Sequence, residues 1–274
     1  MSTRLTIVSD NHAADGLKTE HGFAVWIEHL DHRILFDTGE GDAFWYNLDA
    51  LAIDIASATA VALSHGHYDH TGNLGDVLEK ASTAQLYCHP GCNCSRYSIR
   101  ERAKPIGMPV DSAVTMAAMR VKNRRAVTRP TTIAPGVKLS GPIPRVTDFE
   151  DCGGPFFLDK EAANPDPVLD DNALWFDTPQ GLVICLGCSH AGLINTLTYI
   201  TEISKQPRIA LVVGGAHLGS ASTERLEKTV AALANLQISR MVFCHCSGDT
   251  ATAYLSEKLG SYVSSGYAGF TADF

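Results

Sequence analysis

Leu63-Ser64-His65-Gly66-His67-Tyr68-Asp69-His70-Thr71-Gly72-Asn73-Leu74 is the stretch that decides the fold of this chain. Four metal-capable side chains, His65, His67, Asp69 and His70, fall within six residues. They follow the apolar run Val61-Ala62-Leu63 and precede a Gly-led segment of helical character, so the cluster reads as a strand end feeding a tight loop. Imidazole suits Zn, Mn or Fe, and a carboxylate adds a hard oxygen donor. A loop can turn alternate residues toward different ions, which a helix or strand at this spacing cannot. A single histidine is commonly structural; three beside an aspartate point to metal.

Outward from that loop, residues 58–63 form the strand that delivers it, 72–80 a helix, and 84–88 a further strand. Upstream, a strand over 5–8 ends in turn-favouring Ser9-Asp10-Asn11. Segments 22–29 and 33–37 read as a hairpin turning at Leu30-Asp31-His32 and ending at Asp37-Thr38-Gly39, so an acid again follows a strand. Residues 42–51 form an amphipathic helix with Phe44, Trp45 and Leu48 on its apolar side. Periodicity loosens from His89 onward, apart from an apolar helical span at 112–121. The stretch of about 90–129 reads as an insertion over the site, and the Pro/Gly-rich 130–155 as short strands joined by turns.

After Asp170-Asp171-Asn172 the order repeats in outline. Strands are expected at 173–177, 182–186, 209–213 and 240–243, with helices at 191–204 and 222–236. Three of these strands run into loops carrying His190, His217 and His245. The expectation is one domain over 1–274, built from β-rich pseudo-halves at about 1–150 and 151–274, packed sheet to sheet with helices outside.

The chain has 274 residues, 45% hydrophobic and 19% charged, enough to bury a full core. No apolar run approaches the roughly 18 residues that cross a bilayer, and Met1-Ser2-Thr3-Arg4 passes into a strand-like segment without a signal-peptide core. A cytoplasmic protein with no membrane partner is expected. The eight cysteines read as reduced thiols, because a chain this long needs no disulfide framework. His89, Cys92 and Cys94 fit no structural zinc spacing. A net charge of -8 argues against a general nucleic-acid binder. The charge is nevertheless uneven. Arg96, Arg100, Arg102, Lys104, Arg120, Lys122, Arg124, Arg125 and Arg129 face only Glu101 and Asp111 in their stretch. With Arg145, they favour an anionic small-molecule substrate such as a phosphate ester or diphosphate, since Arg grips phosphate oxygens as a fork. The plain alternative is a solvated basic face.

His65, His67, Asp69 and His70 spell HxHxDH, and the chain resembles the metallo-β-lactamase fold superfamily over nearly its whole length. The resemblance implies an α/β (α+β) four-layer αββα sandwich, with Asp37 of Phe36-Asp37-Thr38-Gly39 as the acid that orients the loop. A narrower resemblance rests on Gly187-Cys188-Ser189-His190-Ala191-Gly192, Gly214-Gly215-Ala216-His217-Leu218, His245-Cys246-Ser247-Gly248, and Gly141-Pro142-Ile143-Pro144-Arg145 with Phe149-Glu150. These look like the branch containing an archaeal dihydropterin synthase of methanopterin assembly, whose reaction releases diphosphate. One departure stands out: a bridging aspartate is usual after the second-half strand pair, and Cys188 occupies that place here, with His190 the nearest histidine. Cys188 is open between ligand and packed thiol, and His217 between ligand, supporting hydrogen-bonder and substrate contact.

The resemblance implies two divalent ions, zinc first and manganese or iron as alternatives. His65, His67 and His190 would hold one, and Asp69, His70 and His245 the other. Paired ions lower the pKa of a shared water toward about 7 and present hydroxide near neutrality, so hydrolysis is the default reaction. Asp37 and Asp69 are the expected catalytic-site acids, Asp69 also moving protons, and Arg145 and His217 the expected substrate contacts. The alternatives are a pterin-related transferase releasing diphosphate, a di-iron redox enzyme, and a non-catalytic binder of a small anion.

Overall fold

The computed structural model describes residues 3–118 and 123–274. Seven strands form the first sheet, in the spatial order Thr271–Asp273, Thr3–Ser9, Ala24–His29, His32–Phe36, Ala60–Ala62, Gln85–Cys88 and Arg124–Ala126. The second sheet runs Val263–Ser265, Met241–Phe243, Arg208–Gly214, Gly181–Leu186, Leu174–Thr178, Val137–Leu139 and Thr131–Ala134, with Gln237–Ile238 also pairing to Arg208–Gly214. The apolar runs of these strands are nearly continuous because both faces are covered. Successive side chains point to opposite faces. Ile34 and Phe36 therefore enter the core between the sheets, against Phe176, Val183 and Val213. Leu35 between them faces Phe44 and Leu78 of the helices Asp42–Ala50 and Leu74–Lys80. In the second sheet, Val183 and Cys185 face inward, while Ile184 packs outward with Leu197 of Leu193–Ser204 and Leu255 of Asp249–Leu259. Helices, two sheets and helices thus stack as the four layers expected.

Strand direction positions the site. His32–Phe36, Ala60–Ala62 and Gln85–Cys88 are mutually parallel, as are Gly181–Leu186, Arg208–Gly214 and Met241–Phe243. Register aligns their last residues, pairing Phe36 with Ala62, Leu186 with Gly214, and Gly214 with Phe243. Parallel strands in register discharge their C-terminal loops at one edge, where open α/β sheets place ligands. Asp37, the histidine loop, Cys188, His217 and His245 all follow such ends.

Two local expectations change. The segment expected as an irregular loop carries Asp69 and His70 on a short helical turn, Tyr68–Thr71, with His67 extended at its N-cap. The second-half helix begins at Leu193 and not at Ala191, because Gly192 sits at φ 105, outside helical space. The basic stretch is more ordered than its periodicity suggests. It contains the hairpin Tyr97–Ile99 and Ala103–Pro105, which joins Phe156–Phe157 in a three-stranded sheet, and the helix Val110–Ala118. Arg120, Val121 and Lys122 lie outside the described residues. Among those described, no helix is long and apolar enough to cross a membrane.

Candidate metal centre

The strand end at Phe36 places Asp37 at φ 61, fully buried, where its carboxylate can organise the neighbouring loop. Ser64 donates from its amide to Asp37 Oδ1 and from its hydroxyl to Oδ2, each at 2.7 Å. His70 donates from Nδ1 to the same Oδ2 at 2.8 Å. Ser64 Oγ in turn accepts from His65 Nδ1 at 2.9 Å. Gly187 closes over this cluster, and a Cβ there would run into the Ser64 side chain. A second support comes from the basic stretch. Arg96 is buried, pairing with Asp166 at 3.1 Å and Asp170 at 2.5 Å, and Asp170 accepts the Gly66 amide at 2.8 Å.

These bonds fix which ring nitrogens remain free. His190 commits Nδ1 to the Cys152 carbonyl at 2.7 Å, leaving Nε2 buried without a partner. His245 directs Nδ1 to Asn11 Oδ1 at 3.3 Å. With both Nδ1 protons used, His70 Nε2 and His245 Nε2 stand 3.2 Å apart, each offering a lone pair, and Cys188 Sγ lies 3.1 Å from the former. Asp69 Oδ2 adds a carboxylate oxygen 3.4 Å from His245 Nε2. His65 Nε2 similarly faces His67 Nδ1 at 2.9 Å. Electron-pair donors crowded this way repel unless protons or a cation come between them.

The donor set therefore fits metal ions. Ligand atoms of His65, His67 and His190 lie within 4.8 Å of one another, as do those of Asp69, His70 and His245. These are the two sets expected from the sequence. Cys188 belongs to further groups of the same span, with His65 and His70, with His190 and His217, and with His245 and Cys246. Burial and mutual crowding shift the titration of these groups in opposite directions. Burial and neighbouring histidines hold His65 and His190 well below the ordinary imidazole range. Burial alone would lower His70 too, but Asp37 and Asp69 override it and push its pKa up to about 9. Desolvation raises the Cys246 thiol, yet Cys188, His217 and His245 more than reverse it and hold the group well below its usual value.

The centre opens into a cavity of about 560 Å³. His67, Asp69, Cys188, His217 and Cys246 form its floor, while Tyr68, Phe156, Arg100, Arg102 and Lys104, with the acid Glu101 among them, form its walls and rim. Lys104 is tethered to the Tyr68 hydroxyl at 3.1 Å. Arg145 stands elsewhere; it is exposed, is not among the cavity-lining residues, and donates to the Val168 carbonyl at 3.1 Å. His217, at φ 46, brings its ring within 4.5 Å of His190. His21 is a site neighbour with no motif to announce it, its Nε2 being 3.4 Å from Asp69 Oδ2. Neither Ser64 nor the Arg96–Asp170 pair carries a legible signal either.

The sequence pattern of the metallo-β-lactamase superfamily matches residues 17–169. The chain belongs to the metallo-β-lactamase superfamily. Within it, the chain is 28% identical to the 7,8-dihydropterin-6-methyl-4-(β-D-ribofuranosyl)-aminobenzene-5'-phosphate synthase of Methanocaldococcus jannaschii, over 88% of this chain and 85% of that one. An uncharacterized protein of the same organism is also 28% identical, over 94% of this chain and 96% of its own. Among solved structures, Tm1679, described as a metal-dependent hydrolase of the β-lactamase superfamily, superposes with a TM-score of 0.82 at 30% identity, covering 98% of both chains. The superfamily's fold is thus common to this chain and Tm1679.

Proposed function

We propose that this chain is a metal-dependent hydrolase acting on a phosphorylated or otherwise anionic small molecule. The observation that carries the proposal is the meeting of two ligand sets beneath a cavity whose rim bears Arg100, Arg102 and Lys104. His65, His67 and His190 would hold one divalent cation, and Asp69, His70 and His245 the other, with zinc the best match to mixed N and O donors and manganese or iron the alternatives. Such ions supply Lewis acidity and an activated water. Asp37 keeps the His70 proton on Nδ1, so that Nε2 faces the centre. Asp69 Oδ2 can take up a proton, and half-exposed His21, 3.4 Å away, offers a route from it to the cavity. The three rim cations would bind the phosphate, and Phe156, on the strand beside the hairpin, gives an apolar wall to the rest of the substrate.

The 28% identity to the archaeal synthase favours a second reading, a pterin-related transferase releasing diphosphate. Both readings are tested by incubating zinc- or manganese-loaded protein with phosphomonoesters, phosphodiesters and diphosphates, with and without an arylamine acceptor. Cleavage by water alone supports hydrolysis; diphosphate release only with acceptor supports transfer; turnover of uncharged esters in preference to all of these would sink the anionic-substrate proposal. A charge-assisted contact contributes about 1.5 kcal/mol, so Arg102→Ala and Lys104→Ala should each raise KM about tenfold. An unchanged KM in both would remove the rim from substrate binding.

A further inference from the structure

We infer that Cys246 is a metal ligand, forming with Cys188 and His245 a sulfur-rich side of the second ion position. The inference rests on the metal-binding proposal above and goes beyond its six ligands. Ligand atoms of Cys188, His245 and Cys246 lie within 4.8 Å of one another, a span one ion can bridge. Consecutive side chains ordinarily diverge; here His245 adopts φ 52, and its turn directs both His245 and Cys246 into the centre. Backbone strain of that kind costs about 1–3 kcal/mol and persists where the surroundings over-determine it.

Four of the other six cysteines show what a packing thiol looks like in this fold, while Cys94 and Cys152 are half-buried outside the apolar clusters. Cys185 and Cys244 sit in the core between the sheets, and Cys88 and Cys92 in the apolar layer outside the first sheet. Cys188 and Cys246 belong to no apolar cluster and instead line the cavity floor. Space is cleared for the second sulfur by Gly215, where a Cβ would lie 2.5 Å from Cys246 Sγ. The Cys246 thiol makes a long contact, 3.8 Å, with the Cys188 carbonyl and stands beside the Cys188 thiol and the His217 ring, inside the cluster of donors. On binding, Cys246 would lose its proton to solvent and coordinate as thiolate, which selects softer ions such as zinc or iron over magnesium and manganese.

Cobalt(II) tests this without any substrate. Thiolate ligation gives cobalt an intense near-ultraviolet charge-transfer band, separate from the visible d–d bands that report binding itself. The wild-type protein should show the band, Cys246→Ser and Cys188→Ser should each lose about half its intensity relative to the d–d bands, and the double variant should lose it all. Cys246→Ala serves where the serine variant fails to fold, and the wild-type spectrum stands without either. Cobalt bound with full band intensity in Cys246→Ser, or with no band in the wild type, overturns the inference and leaves the six-ligand proposal intact. A protein that takes up no cobalt overturns both.

Discussion

The loop after Ala60–Ala62 and the loops after Gly181–Leu186, Arg208–Gly214 and Met241–Phe243 deliver donors to the same point by different means. The first packs His65, His67, Asp69 and His70 into one turn and braces them from behind with two buried acids, Asp37 through His70 and Asp170 through the Gly66 amide. The others contribute their donors separately, and their geometry comes from the backbone. Ser189, His217 and His245 all have positive φ, at 56°, 46° and 52°. Their outer contacts are neutral: His190 has a backbone carbonyl at 2.7 Å and His245 an amide oxygen at 3.3 Å, where His70 has a carboxylate oxygen at 2.8 Å. A contiguous set of ligands is held by side-chain hydrogen bonds, a dispersed one by strand register and local strain.

Removing a ligand from the contiguous loop gives the largest effect expected. His67→Ala should abolish stoichiometric metal and hydrolysis while leaving the far-ultraviolet circular dichroism unchanged. Wild-type metal content and activity in this variant would break the comparison at its root. Next comes the brace behind Gly66. Arg96→Met leaves Asp166 and Asp170 buried without their countercharge, which should destabilise the fold by about 3–5 kcal/mol in urea denaturation. A loss below about 1 kcal/mol would mean that the ion pairs are marginal and the loop is held otherwise.

The smallest effects compare the outer contacts of the two regions directly. Removing such a contact typically reduces metal affinity about 10–100-fold, and Asp37→Asn should fall at the upper end of that range. Asn11→Ala, which removes the longer contact to His245, should fall at or below the lower end. Equal losses would show that the two regions are not braced differently. In metal-free protein, the same Asp37→Asn change should lower the His70 pKa from about 9, as followed by NMR titration, because one of the two carboxylates that raise it is gone. Through the window below that value a proton occupies His70 in competition with metal, so wild-type affinity should rise with pH.

Where ligands are close in sequence, their chemistry shows in the sequence. His65 to His70 can be read because spacing within one turn already constrains where the side chains go. His190 and His245 could be anticipated as strand-end histidines, though not which atoms they would face. Cys246 was visible beside His245, but nothing local separates it from Cys244, which turns into the core. His21 and Ser64 have no pattern at all. Arg145 shows the opposite case, a residue prominent in its motif that the fold places outside the cavity, while Arg100, Arg102 and Lys104 reach the rim through a hairpin the loose periodicity did not reveal.

By itself the sequence determined the strand-and-helix order and the dense histidine loop, because strand periodicity and short-range spacing are properties of the chain alone, while the four-layer class and the supporting role of Asp37 came from the resemblance its motifs carry. Tertiary structure decided which second-half residues meet that loop, which cations face the cavity, and that Cys188 and Cys246, of the eight cysteines, line it. The reason is geometric: parallel strands from distant parts of the chain end in register at one edge, and only their packing brings Cys188, His190 and His245 to the histidines of the first half.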